Sequence, residues 1–116
     1  MRRLLTLLLC VALPALAAGP RPLRLDARGE RHVRERHFPG GSQTRGKSLF
    51  FAGTDLKALL VLAQKAKPRR QGNGRDKRVV DAGKPVGTDG RSGRPMRTVV
   101  VISEEDGLVI TMYPGV

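Results

Sequence analysis

The chain's two histidines and its single tyrosine fall in two short segments far apart in sequence. The first is Arg31-His32-Val33-Arg34-Glu35-Arg36-His37-Phe38, with Gly46-Lys47-Ser48-Leu49-Phe50 close behind it, and the second is Thr111-Met112-Tyr113-Pro114. Together they supply an imidazole acid/base, a fixed cation and two hydroxyls. Cleavage of an RNA phosphodiester needs a group that takes a proton from the ribose 2′-hydroxyl and positive charge to offset that developing on phosphoryl oxygens, and it needs no metal ion. Lys47, with Arg45 beside it, fits the second role. The two histidines stand five residues apart, about 140° around a helix, so they do not share a face and are not the i, i+4 pair of a helical metal site. One of them is then the candidate base and the other a surface or capping group. On a strand, Thr111 and Tyr113 project to one face together with Val109, while Ile110 and Met112 project to the other. No cysteine or carboxylate cluster completes a metal site, so neither metal nor cofactor is expected.

These residues need elements to hold them. Residues 1–18 carry Arg2 and Arg3, then a Leu-rich run and Ala15-Leu16-Ala17-Ala18, the order of a cleavable export signal. That places the product in a secreted or periplasmic compartment, and the apolar run is too short for a stable bilayer anchor. The chain's one cysteine, Cys10, lies inside this leader, so residues 19–116 must form one domain held without disulfides.

Gly19 to Ala27 reads as extended. A short helix is expected from Gly29 to His37, stopped by Pro39-Gly40-Gly41, followed by a flexible loop over 40–48. A second helix starts at a Thr54 or Asp55 cap, carries its apolar stripe at Leu56, Leu59, Leu60 and Ala63, and ends near Lys67 before Pro68. Pro68 to Lys77 reads as a basic loop around Gly72-Asn73-Gly74. Beyond it the period changes to that of strands: Arg78–Ala82, then Thr98–Ile102, and Leu108–Tyr113 returning as a hairpin after the Glu104-Glu105-Asp106-Gly107 turn. The expected class is α+β, with N-terminal helices packed on a C-terminal antiparallel sheet.

A formal charge of +12 points to an anionic partner such as RNA, DNA, an envelope polyanion or an acidic inhibitor protein. Arg45, Arg69, Arg70, Arg75, Lys77 and Arg78 are the candidate RNA-backbone contacts. Gly41-Ser42-Gln43-Thr44-Arg45-Gly46-Lys47-Ser48 matches the phosphate-loop pattern G-x-x-x-x-G-K-S. That motif requires a buried strand before it and a helix starting at its lysine, and here a His- and Arg-rich segment precedes it and Leu49-Phe50-Phe51 follows. It is read as a chance match.

The order His32…Arg36-His37, glycines, Gly46-Lys47-Ser48-Leu49-Phe50, a Leu-rich helix, a basic segment and a final Thr111-Met112-Tyr113-Pro114 resembles bacterial ribonuclease toxin domains. These are the EndoU-like and RNase A-like toxins of contact-dependent inhibition systems, in the barnase–EndoU–colicin–RelE class. The resemblance implies His37 as the catalytic histidine, Lys47 as the cation, and Thr111 and Tyr113 as the hydroxyl pair. Departures from the pattern are the chain's own export signal and the placement of both histidines, His32 and His37, in one helix. The resulting expectation is a secreted, metal-independent endoribonuclease. The competing readings are a non-catalytic cationic module for nucleic acid or envelope polyanions, and an accessory protein pairing through the edge of Thr98–Ile102.

Overall fold

The computed structural model describes residues 22–116, and the expected export segment, residues 1–18, lies outside them. Asp26 opens helix α1 (Ala27–His37), its carboxylate accepting from the Gly29 amide at 2.8 Å. Most of this helix is charged, and its buried positions are Gly29, Val33 and His37. Spaced by four, they form one stripe, and that stripe is what docks α1 against the final strand, β7 (Val109–Pro114). A methyl group on Gly29 would stand 3.1 Å from the Val109 carbonyl, so glycine there sets the close approach. Glu30 in the first turn and Arg34 and Arg36 in the last complement the helix dipole.

Asp55 caps helix α2 (Leu56–Gln64) by accepting from the Lys57 and Ala58 amides at 3.0 and 3.2 Å. Its buried side is the expected Leu56, Leu59, Leu60, Ala63 stripe. It stops at Gln64, short of the expected Lys67: Lys65 and Ala66 turn back onto the Leu62 and Ala63 carbonyls in the tighter geometry common at helix ends.

The class is α+β, as expected, but the strands form two antiparallel sheets. The larger has the order β2 (Arg69–Arg70), β3 (Arg75–Asp81), β6 (Thr98–Glu104), β7. The smaller joins β1 (Leu49–Phe50), β4 (Gly87–Thr88) and β5 (Pro95–Met96). The segment read as a basic loop, Pro68 to Lys77, is therefore largely the β2–β3 hairpin, with Gly72 and Gly74 at positive φ of 81° and 79° around its tip. Backbone pairing, which is indifferent to side-chain charge, carries this hairpin.

The register assigns each side chain of the large sheet to a face. Val80, Val99, Val101, Val109 and Met112 look inward and meet Val33, Phe38, Phe50 and the α2 stripe in one core. The shift in register at Ile102/Ser103 pairs Val109 with Ser103 and Thr111 with Ile102. Val109 therefore joins Met112 inside, where strict alternation had placed it with Thr111 and Tyr113. A bulge of this kind inserts one unpaired residue and re-aims those beyond it.

Gly87 is the tightest junction between the two sheets. A Cβ there would stand 2.5 Å from Pro114 Cγ and collide with the Leu49 carbonyl. Gly87→Ala is accordingly expected to destabilise the domain by about 1–3 kcal/mol through overpacking, read as a lowered urea midpoint. An unchanged midpoint would show that the two sheets separate freely at this point.

Candidate functional site

His37 ends the α1 stripe and is 9 % exposed. Its ring stacks on Tyr113 with centroids 5.3 Å apart and planes 27° apart. Its Nδ1 lies 2.9 Å from the Ser48 carbonyl oxygen. A carbonyl only accepts, so Nδ1 carries the proton and the neutral ring keeps its lone pair on Nε2, the form a general base requires.

The loop that supplies this carbonyl is fixed by the helix it follows. Gly41 passes so close to α1 that a Cβ would overlap the Glu35 and Arg34 carbonyl oxygens, and the Gln43 amide donates to Glu35 O at 2.9 Å. Gly46 (φ 73°) and the Lys47 amide to Thr44 O bond, 3.0 Å, then turn the chain toward β1. On its far side the loop meets the β4–β5 turn. Ser48 Oγ accepts from the Gly90 amide at 2.9 Å, and a Cβ on Gly90 would lie 2.6 Å from the Lys47 carbonyl carbon. The carboxylate of Asp89 holds that turn through the Ser92 amide (2.9 Å) and hydroxyl (2.8 Å). The loop expected to be flexible is clamped between a helix end and a turn, and it carries Lys47 with it.

Electrostatics agree with this placement. Burial lowers the His37 pKa below its ordinary value. The Ser48 bond opposes that shift, and the charges of Lys47, His32 and Arg36 add to it. His32 is lowered as well, by burial first and then by Arg36, with Glu35 opposing and Lys47 contributing. Lys47 thus acts on both imidazoles. Arg36, given no role from sequence, adds positive charge beside the same pair.

Thr111 lies two residues from Tyr113 on the same face of β7, opposite Ile102, and its Oγ1 is buried with no protein partner. A buried hydroxyl left unpaired costs about 1–3 kcal/mol, a cost the packing of β7 carries here. His37, Tyr113, Thr111 and Lys47 form one neighbourhood. Ser48, Gly41, Gly90 and Arg36 support it; Ser48, Gly41 and Arg36 lay within motifs or breaks visible in the sequence, without the supporting purpose, and Gly90 carried no signal.

The expected RNA-backbone contacts divide. Arg45, Arg69 and Arg75 are exposed and Lys77 is partly so. Arg78 is 8 % exposed and its guanidinium donates to Ser103 Oγ at 3.3 Å, so it faces the interior and is withdrawn as a phosphate contact. Arg70 is engaged by Glu105 and, at 3.9 Å, by Asp76; the second distance is an ion pair too long for a hydrogen bond, consistent with Asp76 Oδ1 having none. Among the described residues no group of three or more His, Cys, Asp or Glu is placed to hold a metal ion, and no helix is long and apolar enough to cross a membrane. A cleft of about 470 Å³ lined by Leu23, Leu25, Lys57, Leu60, Val61 and Gln64 contains neither histidine.

The lowered His37 pKa has a definite consequence for folding. The unfolded chain binds the proton more tightly than the folded one, so stability is fully present above the ordinary histidine value of about 6.5 and is lost as pH falls through the folded pKa. Titration of the His37 ring by NMR should give a midpoint below 6.5 and an Nδ1-H tautomer. A midpoint above 6.5 would contradict the burial and charge described.

No protein-family model matches this chain, and no curated protein matches it.

Proposed function

We propose that this protein is a metal-independent endoribonuclease of the toxin type, acting in a secreted or periplasmic setting and allied with the barnase–EndoU–colicin–RelE class. The observation that carries the reading is the His37 ring stacked on Tyr113, its Nδ1 bonded to the Ser48 carbonyl and its pKa lowered in part by Lys47. A neutral, oriented imidazole beside a cation is the arrangement that general-base attack on a phosphodiester requires.

In this mechanism Nε2 of His37 takes the proton of a ribose 2′-hydroxyl. The O2′–P bond forms and the P–O5′ bond breaks, leaving a 2′,3′-cyclic phosphate and a 5′-hydroxyl end. Lys47, with Arg36, offsets charge that develops on the phosphoryl oxygens in the transition state. Thr111, on the same face of β7, helps to position Tyr113. Tyr113 holds the imidazole by stacking and places its hydroxyl to protonate the leaving O5′. DNA lacks the attacking hydroxyl and is not cleaved. The net charge of +12 also suits an acidic inhibitor protein as a second partner.

The test is cleavage of a labelled RNA in excess EDTA, with products analysed for the cyclic phosphate. His37→Ala should lose about 10²–10⁴-fold, and Lys47→Ala should lose heavily in kcat, because its contribution belongs mainly to the transition state. His32→Ala should cost little. Tyr113→Phe keeps the stack and removes only the hydroxyl, so it separates support of the ring from proton donation. Because the His37 pKa is lowered, the acid limb of kcat/KM should lie below pH 6.5. Full activity of His37→Ala overturns the assignment, and binding of RNA without turnover would make the protein a cationic binding module instead.

A further inference from the structure

The outer face of the large sheet has a layout that the neighbourhood of His37 does not use. The register aligns Arg69 with Lys77, Lys77 with Ile102 and Ile102 with Thr111, forming one row across all four strands. Beside it runs a second row, Val79, Val100 and Tyr113. Directly paired residues project to the same side of a sheet, so both cations share a face with Thr111 and Tyr113, whereas Arg70 and Arg78 point to the other. Val79 is 43 % exposed in mid-strand. A shallow hollow of about 280 Å³ is lined by Lys67, Arg69, Lys77, Val79 and Val116. The acids on this face stand at the strand ends: Asp81 is held by Arg97 at 2.8 Å, and Glu104 lies opposite Arg75.

We propose that this face is an extended subsite for single-stranded RNA, which crosses the strands from Thr111 to the Arg69–Lys77 pair. The inference rests on the ribonuclease reading only for the direction of approach. Three strand spacings of about 4.8 Å separate Thr111 from Arg69, roughly 14 Å. That is about four nucleotides at the stacked rise of about 3.4 Å, and fewer in an extended strand. Arg69 and Lys77 neutralise phosphates at the far end. Val79 gives an intervening base an apolar surface. Val100 is fully buried, so the accessible path is the row of Arg69, Lys77, Ile102 and Thr111; cations along one line suit a single strand whose bases are splayed, whereas an A-form duplex presents its phosphates on a wide curved surface.

The experiment uses 2′-O-methyl oligonucleotides, which cannot supply the attacking hydroxyl, so that binding is read independently of cleavage. In fluorescence anisotropy, Arg69→Ala/Lys77→Ala should weaken binding of an eight-nucleotide strand by about tenfold and leave a dinucleotide within about twofold. The slope of log affinity against log salt should flatten by about 1.4 for the long strand, about 0.7 for each lost contact. Arg28→Ala/Lys57→Ala, which removes the same charge from the helices, should have little effect on either length. Equal losses for both lengths, equal losses from the helix pair, or equal affinity for duplex RNA would overturn the proposal. So would failure of every oligonucleotide to bind, which would leave the face to another partner such as an acidic protein. A wild-type protein that binds with this length dependence but leaves unmodified RNA intact would sustain the subsite while refuting the ribonuclease.

Discussion

The contact on which the site depends is the hydrogen bond from His37 Nδ1 to the Ser48 carbonyl, 2.9 Å long. It joins the end of α1 to a loop that is itself held by Gly90 of the β4–β5 turn, while the opposite side of the interaction rests on Tyr113 of β7. Helix, loop and both sheets therefore converge on one imidazole. The burial that docks the helix also penalises the charged ring, so packing and proton affinity are set by the same contacts. Structural support and chemical tuning cannot be separated at this residue.

What was legible in the sequence follows from how each element earns its stability. Helix α2 and strand β6 bury apolar residues at helical and strand periods, and both were readable in place from Leu56, Leu59, Leu60 and Ala63 and from the Val-rich run at 99–101. The pairing of His37 with Tyr113 was readable only as a shared chemistry, because no local pattern sets a contact across 76 positions of chain between α1 and β7. Strand β2 consists of two arginines, and β1, β4 and β5 have two residues each. Such short or charged strands are held by backbone bonds to partners distant in sequence and show no periodicity. The inward turn of Val109 was hidden for a related reason. A register shift belongs to a pair of strands, and strict alternation along one strand cannot reveal it.

The phosphate-loop match shows why spacing alone does not make a site. In the true motif, amides at a helix N-terminus face the phosphate, where the dipole is positive. Here Gly41 to Ser48 follows the C-terminus of α1, the negative end, and Gly41 and Gln43 lie against the Arg34 and Glu35 carbonyl oxygens. The glycines let the chain fold back over a helix end, and the lysine is carried toward the histidines as a result. The same letters thus serve an opposite polarity, and the chemistry they permit is the electrostatic support of an imidazole.

The two faces of the large sheet divide the chain's positive charge by a simple physical criterion. On the inner face Arg78 and Asp76 are buried, and each keeps a side-chain atom without a hydrogen-bond partner. Charges held that way are costly to desolvate and gain from one another only in good geometry. Their value is in fixing how β3 lies over the core end at Ser103, to which Arg78 donates. On the outer face Arg69 and Lys77 remain in contact with solvent and keep their charge available to a polyanion. A sequence count treats these three cations alike, but the pleat gives alternate residues opposite environments. Arg69 and Lys77 therefore keep their charge at the surface, whereas Arg78 answers to folding.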